Sequence, residues 1–336
     1  MKEKIDFVIL WVDGGDAEWL KEKAKYNPNK VKKDGVDGVI RYRDWDNLKY
    51  WFRGVETFAP WVNNVYFITW GHLPKWLNTN HPQLKIIKHE DYIPKKYLPV
   101  FSSNPIELNV NRIKELSEHF VLFNDDMFLI NDVKPEDFFI DGLPVDNYNE
   151  VNLDMNKEDP VFASILKNNY RILSERYNKR KVILTNPCKY LNFKYGFDRN
   201  IRTLKNTITK KEFVGVNNNH LYQPFLKSYF DRAWDIIHNE MDHTSSNRFR
   251  DKSDISQFLI RYFQVLDGKF IPKGYDYGRY FSVHEDNHEI IDYIEKQKGK
   301  CICINDTDPD IDFEKCKQEI NNAFNKILSK KSKFEK

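Results

Sequence analysis

The sequence predicts a mostly parallel, three-layer α/β fold, and three features of it do so. Apolar runs of strand length recur at IDFVILWV (5–12), VYFITW (65–70), LKIIKH (84–89) and HFVLFN (119–124). Stretches with helical spacing lie between several of them, and the connections are short and rich in Gly, Pro, Asn and Asp. The resulting order, β-α-β-β-α-β, is that of a sheet whose crossover helices pack on its faces.

IDFVILWV is apolar at every position but Asp6, a run of strand length; DGGD ends it, and AEWLKEKAKY follows with helical composition. RDWDNLKYWFRGVETFAPWV then spaces Leu48, Trp51, Phe52, Val55, Phe58 and Ala59 along one helical face. NPIELNVNRIKEL reads as a helix with Asn104 as N-cap, Pro105 at the first helical position and Glu107 completing a capping box. From about Val145 to Asn206 the pattern weakens into polar, basic and irregular aromatic stretches. Regular signals return with QPFLKSYFDRAWDIIHNEM, a predicted helix opened by Pro224, and SDISQFLIRYFQVLDG, with Ser253 as N-cap and Gly268 as terminator. The last stretch places Phe313, Cys316, Ile320, Phe324, Ile327 and Leu328 on one helical face and ends in lysines. The expected organisation is a core in two parts, 1–144 and 207–310, a mostly helical insertion at 145–206, and a basic amphipathic helix at 311–336.

The chain has 336 residues, 40% hydrophobic and 15% aromatic, enough for a sizeable core and for aromatic surfaces that stack on sugars or bases. Its 53 Lys and Arg against 50 Asp and Glu leave a net charge of +3, too balanced for a nucleic-acid binder. No run reaches the roughly 18 apolar residues of a membrane span, and the apolar core of MKEKIDFVILWVDGG is short for a secretion signal, so a cytoplasmic chain is expected. Cys188, Cys301, Cys303 and Cys316 form no paired CxxC spacing and read as free thiols.

FNDDMFLIND places Asp125 and Asp126 together at the end of an apolar run. Such a pair holds a divalent cation through hard oxygen ligands, which suits Mg²⁺ or Mn²⁺, or else Asn124 and Asp125 cap a tight turn while Asp126 faces water. Both readings stand on the dipeptide alone. DGGD offers glycines that let backbone N–H groups approach a nucleotide, or is an ordinary turn with Asp16 as N-cap. RYRD (41–44) and NRFR (247–250) are basic clusters; Arg248 or Arg250 beside a helix N-terminus would clamp phosphate, or pair with Asp251 and Asp254 at the surface. His220 is placed to act as a base or to hydrogen-bond an oxyanion. His284 and His288 are spaced as ligands on one helical face without an evident third, and HNEMDH lacks the spacing of a zinc protease.

Taken together, DFVILWVDGGD, the block from RYRD to WLN, the block LPVFSSNPIELNVNRIKELSEHFVLFNDDMFL, HLYQPFLKSYF with TSSNRFRDKSDIS, and CICINDT resemble the four ordered blocks of the Stealth proteins over about 60% of the chain. The resemblance implies a Rossmann-like, GT-A-like core of the nucleotide-sugar transferase type. It also implies transfer of a hexose-1-phosphate from a UDP-hexose or UDP-N-acetylhexosamine to a lipid-linked or oligosaccharide acceptor, with Mg²⁺ or Mn²⁺ assisting. Carried over residue by residue, Asp125, Asp126, His220 and Arg250 are the expected catalytic groups, and Asp125, Asp126 and Asp306 the expected metal ligands. Asp13, Gly14, Gly15, Asp16, Arg41, Arg43, Arg248 and Asn305 are the expected substrate contacts. Asn104 stands where the family usually has His, and Asp13 where many members have Asn. A lipid-linked acceptor further implies peripheral contact with the inner face of the cell membrane, for which the lysine-ended C-terminal helix is the expected element; the alternative is a helix packed on the core with a frayed basic tail.

Overall fold

The computed structural model describes residues 3–26, 43–154, 158–218 and 220–336. In chain order the first elements are β1 (Ile5–Leu10), α1 (Ala17–Tyr26), α2 (Leu48–Phe58), β2 (Val65–Thr69), β3 (Leu84–Lys88), α3 (His89–Tyr92), α4 (Ser103–Leu108) and β4 (His119–Phe123). Then come β5 (Met127–Leu129), β6 (Phe139–Ile140), β7 (Leu143–Asp146), α5 (Pro160–Arg176), α6 (Lys179–Thr185), α7 (Pro187–Tyr190), α8 (Phe197–Thr209) and β8 (Gln223–Leu226). The chain finishes with α9 (Lys227–Ile236), α10 (His238–Ser246), α11 (Gln257–Leu266), β9 (Ile271–Pro272), β10 (Gly278–Ser282), α12 (His288–Glu295), β11 (Cys301–Asn305) and α13 (Phe313–Ile327).

The main sheet runs β3-β2-β1-β4-β8. Its first four strands are parallel, with Phe7 beside Val65 on one side and Val121 on the other, and their order is that of one half of a Rossmann sheet. β1 is central and buried on both faces, which accounts for its nearly continuous apolar run. The one charge in it, Asp6, is satisfied by the Asn63 side chain and by the backbone N–H groups of Asn64 and Ser117. A second sheet, β10-β11-β5, carries the chain on from the end of β4, and a third joins β6, β7 and β9. Helix α2 presses against β5 at Gly54, where a methyl group would lie 2.9 Å from the Leu129 carbonyl oxygen.

Several sequence expectations are corrected here. Pro224 does not open a helix: it lies in β8, antiparallel to β4, and α9 begins three residues later. β8 is an edge strand, where a missing N–H costs no ladder bond. Asn104 is not an N-cap but sits inside α4, and its amide donates to the buried carboxylate of Asp254. Helix α11 starts at Gln257, because Ser253 instead bonds Asp251 and His243, so the Arg248 and Arg250 cluster does not abut a helix N-terminus. Gly268, at φ +70, does terminate α11. His288 opens α12 while His284 precedes it, so the two do not share a helical face.

The C-terminal helix α13 buries Cys316, Ile320, Ala323 and Phe324, as its spacing predicts. Its tail is not frayed. Phe334 is fully buried against Phe52, and Glu335 forms a two-pronged ion pair with Arg53.

Candidate active site

β4 and β5 belong to different sheets, and the tight turn between them carries Asn124, Asp125 and Asp126. The backbone of the turn is pinned from both sides: Met127 N–H donates to the Asn124 carbonyl, and Ile304 N–H of β11 donates to the Asp126 carbonyl. The dipeptide thus sits in a tight turn, and Asp125 and Asp126 both line a cavity of about 970 Å³. That cavity lies at the carboxyl ends of β1 and β4, where ligands of open α/β sheets bind.

Asp125, Asp126, His220, Arg250 and Asn305 all line the cavity. Nε2 of His220 is 3.2 Å from Oδ2 of Asp126. His220 has a left-handed backbone (φ 36), a conformation uncommon outside glycine and kept where the surroundings demand it. Part of that demand comes from Arg261, which is clamped to Asp146 and reaches the Asn217 carbonyl and the Asn218 side chain just ahead of His220. Arg250 donates to Ser103 Oγ at 3.0 Å.

The electrostatics separate the two aspartates. Burial, and then its neighbour Asp126, push the Asp125 carboxyl up to about 7. Burial would raise Asp126 as well, but His220 and the hydrogen bonds from His220 and the Cys303 thiol hold it below the usual carboxylate range. The Cys303 thiol is itself raised well above its ordinary value by burial and by Asp126, so it stays protonated. Asp126, His220 and Cys303 place donor atoms within 4.8 Å of one another. The group offers a carboxylate oxygen of Asp126 and a ring nitrogen of His220 beside the thiol, and the carboxylate is the donor that suits a hard divalent ion. Oδ1 of Asp126 is buried with no hydrogen-bond partner, the kind of orphaned oxygen a cation satisfies.

The remaining predicted residues that are described do not line the cavity. Asp306 is not part of the cavity lining; it accepts from Trp45 Nε1 at 3.2 Å and faces Arg43 at 3.7 Å, and burial raises its carboxyl. Asp13 to Asp16 form the turn beneath the cavity's edge, with Gly15 N–H on Asp13 Oδ1 and Asp16 capping α1 through Trp19 N–H, while Trp11 and Val12 line the cavity. Arg248 stacks over Tyr26 at 4.8 Å, and Arg41 lies outside the described residues.

Two features escaped the sequence reading. Glu107, read as a cap, is buried in the cavity wall, where desolvation raises it to about 7 against the opposing pull of Arg250 and His220. A carboxylate inside the apolar string PIEL was its signal. The second is an aromatic wall formed by Trp19, Phe101 and Phe249, joined where Phe101 N–H donates to the Arg248 carbonyl.

Comparison with known proteins bears on this site. The profile of Stealth protein conserved region 1 matches residues 3–31, and that of conserved region 2 matches residues 41–145. A capsular polysaccharide phosphotransferase WcwK of Streptococcus pneumoniae is 39% identical, over 99% of this chain and 98% of the relative. The exopolysaccharide phosphotransferase cps2G of Lactiplantibacillus plantarum is 38% identical over 99% and 96%, and the receptor polysaccharide phosphotransferase WefC of Streptococcus gordonii 38% over all of both chains. Among solved structures, the galactosyltransferase LgtC superposes with a TM-score of 0.36 at 9% identity, covering 94% of this chain and 95% of that one.

Proposed function

Because the chain belongs to the Stealth protein family, we propose that it transfers a hexose-1-phosphate from a UDP-sugar to a hydroxyl of an acceptor glycan, releasing UMP. Phosphotransfer in capsular or exopolysaccharide synthesis is the activity its relatives are named for, and this chain is accordingly a transferase. The observation that carries the finer reading is the Asp125–Asp126 turn facing His220 and Arg250 across one cavity.

In this reading the acceptor oxygen attacks the β-phosphorus in line. A bond forms between that oxygen and phosphorus, the bond from phosphorus to the bridging oxygen breaks, and UMP departs. Phosphoryl transfer asks mainly for positioning and charge neutralisation. Arg250, held by Ser103, presents its guanidinium to the phosphoryl oxygens. His220, oriented by Asp126, takes the proton of the acceptor hydroxyl. Asp125 and Asp126 would hold Mg²⁺ or Mn²⁺, which when bound would supply charge neutralisation for the diphosphate.

The test is a panel of UDP-hexoses and UDP-N-acetylhexosamines with Mg²⁺ or Mn²⁺ and a short oligosaccharide acceptor. UMP together with a phosphodiester-linked product supports the proposal. UDP with a glycosidic product would instead identify a conventional glycosyltransferase.

A further inference from the structure

Helix α8 faces the wrong way for a helix surrounded by water. Its buried residues are polar, Thr203, Asn206 and Thr207, whereas Phe197, Ile201 and Ile208 are 77%, 49% and 57% exposed. At about 100° per residue, Phe197, Ile201, Leu204 and Ile208 fall within about 60° of one another, a single apolar stripe turned outward. Phe193, just before the helix, is 85% exposed, and Leu184 at the end of α6 is 55% exposed. Of the eight large hydrophobic side chains exposed among the described residues, five lie between Leu184 and Ile208. Exposed apolar side chains concentrated in this way mark a surface that something else covers.

The polar face is not idle. Thr203 Oγ1 accepts from Glu150 N–H, Arg202 donates to the Glu150 and Asn149 oxygens, and Thr207 bonds back to Thr203. These bonds fix α8 to the body of the protein with its stripe facing out.

Charge indicates what covers it. Residues 179–211 contain ten Lys and Arg and a single acidic residue, Asp198, a net +9 in a chain whose total is +3, so the rest of the chain carries −6. Lys179 is buried against Glu150, but Lys194, Arg199, Lys205 and Lys211 are exposed in the same segment as the stripe. A second copy of this chain would have to bring two such basic faces together. An anionic bilayer accepts both features at once, the rings among the acyl chains and the cations among the headgroups.

We propose that α8, with Phe193 and Leu184, is a membrane-docking surface that lies in the interface of a bilayer containing anionic phospholipid. It relocates the membrane contact from the C-terminal helix to the α6–α8 region. Arg199 stacks on Tyr275 at 4.4 Å, and Tyr275 lines the catalytic cavity, so docking through α8 holds that cavity beside the lipid surface. This goes beyond the transfer reaction, because vesicle binding is measured without turnover and either proposal can fail alone.

The experiment is flotation of the full chain with vesicles of phosphatidylcholine alone or mixed with phosphatidylglycerol. It compares the wild type, the F193S/F197S/I201S variant, the K205E/K211E variant, and K330E/K331E in the C-terminal tail, each checked for an unchanged thermal melt. The expected result is salt-sensitive flotation of the wild type and the tail variant with anionic vesicles only, and a loss of at least about tenfold in both α8 variants. Turnover on a soluble oligosaccharide acceptor should be the same in all four. Failure of the wild type to float with anionic vesicles, or undiminished flotation of the α8 variants, overturns the proposal. So does light scattering that shows a dimer dissolved by the serine substitutions.

Discussion

His220 and Asp126 are 94 positions apart in the chain, yet Nε2 of one lies 3.2 Å from Oδ2 of the other. The contact joins the loop before β8 to the turn after β4, and it holds Asp126 ionised while orienting the imidazole. Groups that act as one unit lose function non-additively. We expect Asp126→Asn and His220→Asn each to lower kcat by about 10²–10³-fold, and the double variant to be little worse than either. Asn at 220 tolerates the left-handed backbone, so folding is preserved. Steady-state kinetics of the four proteins would show additive losses if the pair were not coupled.

The orphaned Oδ1 of Asp126 and the neighbouring Asp125 carboxyl, which also lines the cavity, predict a metal requirement. Stripping with EDTA should abolish turnover, and Mg²⁺ or Mn²⁺ should restore it. Asp125→Asn should raise the Mn²⁺ concentration needed for half-activation by at least about tenfold, with Mn²⁺ binding read independently from its EPR signal. Full activity in chelator would remove the cation from the mechanism.

Arg250 is held by Ser103 with its remaining donors free to fork onto phosphoryl oxygens. Arg250→Ala should cost about 10²–10³-fold in kcat, and Arg250→Lys should recover only part of it, because a point charge does not replace the planar fork. A lysine variant with wild-type turnover would reduce the role of Arg250 to charge alone.

Much of the fold was legible because it rests on local pattern. The nearly continuous apolar run of β1 is what a central parallel strand needs, and Gly268 does end α11. Two of the errors share one cause: a residue with a long-range partner imitates a local signal. Asn104 looks like a cap until Asp254, 150 residues on, is placed beside it, and Pro224 looks like a first helical residue until β4 supplies the edge it can occupy. In the site, Asp125, Asp126, His220 and Arg250 stood out by residue type and position with alternatives left open, the resemblance of their blocks gave them expected roles, and the cavity gathers all four. Glu107 was not, because a buried carboxyl is recognised by its surroundings, and these come from α4, the His220 loop and the Arg250 loop together.

Glu107 also predicts a pH dependence of stability. Its folded value is about 7, raised by burial from an ordinary 4.5, so between those limits the folded protein keeps a proton that the unfolded chain has lost. Stability should therefore fall as pH rises from about 4.5 to about 7, by up to about 3 kcal/mol. Glu107→Gln, neutral at every pH, should flatten that slope and be the more stable protein at pH 8. Urea melts of both proteins across this range check it, and parallel slopes would show that Glu107 ionises freely.

The tail after α13 gives the last prediction. Phe334 is fully buried, touching Phe52 and His81, and Glu335 accepts both prongs of the largely buried Arg53. Phe334→Ala removes a core ring and should cost about 3–5 kcal/mol, while Glu335→Gln leaves Arg53 without its counter-charge and should cost about 2–4 kcal/mol. Neither residue lines the catalytic cavity. At temperatures where the variants remain folded, KM and kcat should match the wild type, and only the melting temperature should fall. An unchanged melt in Phe334→Ala would mean that the last residues do not dock on α2 in solution.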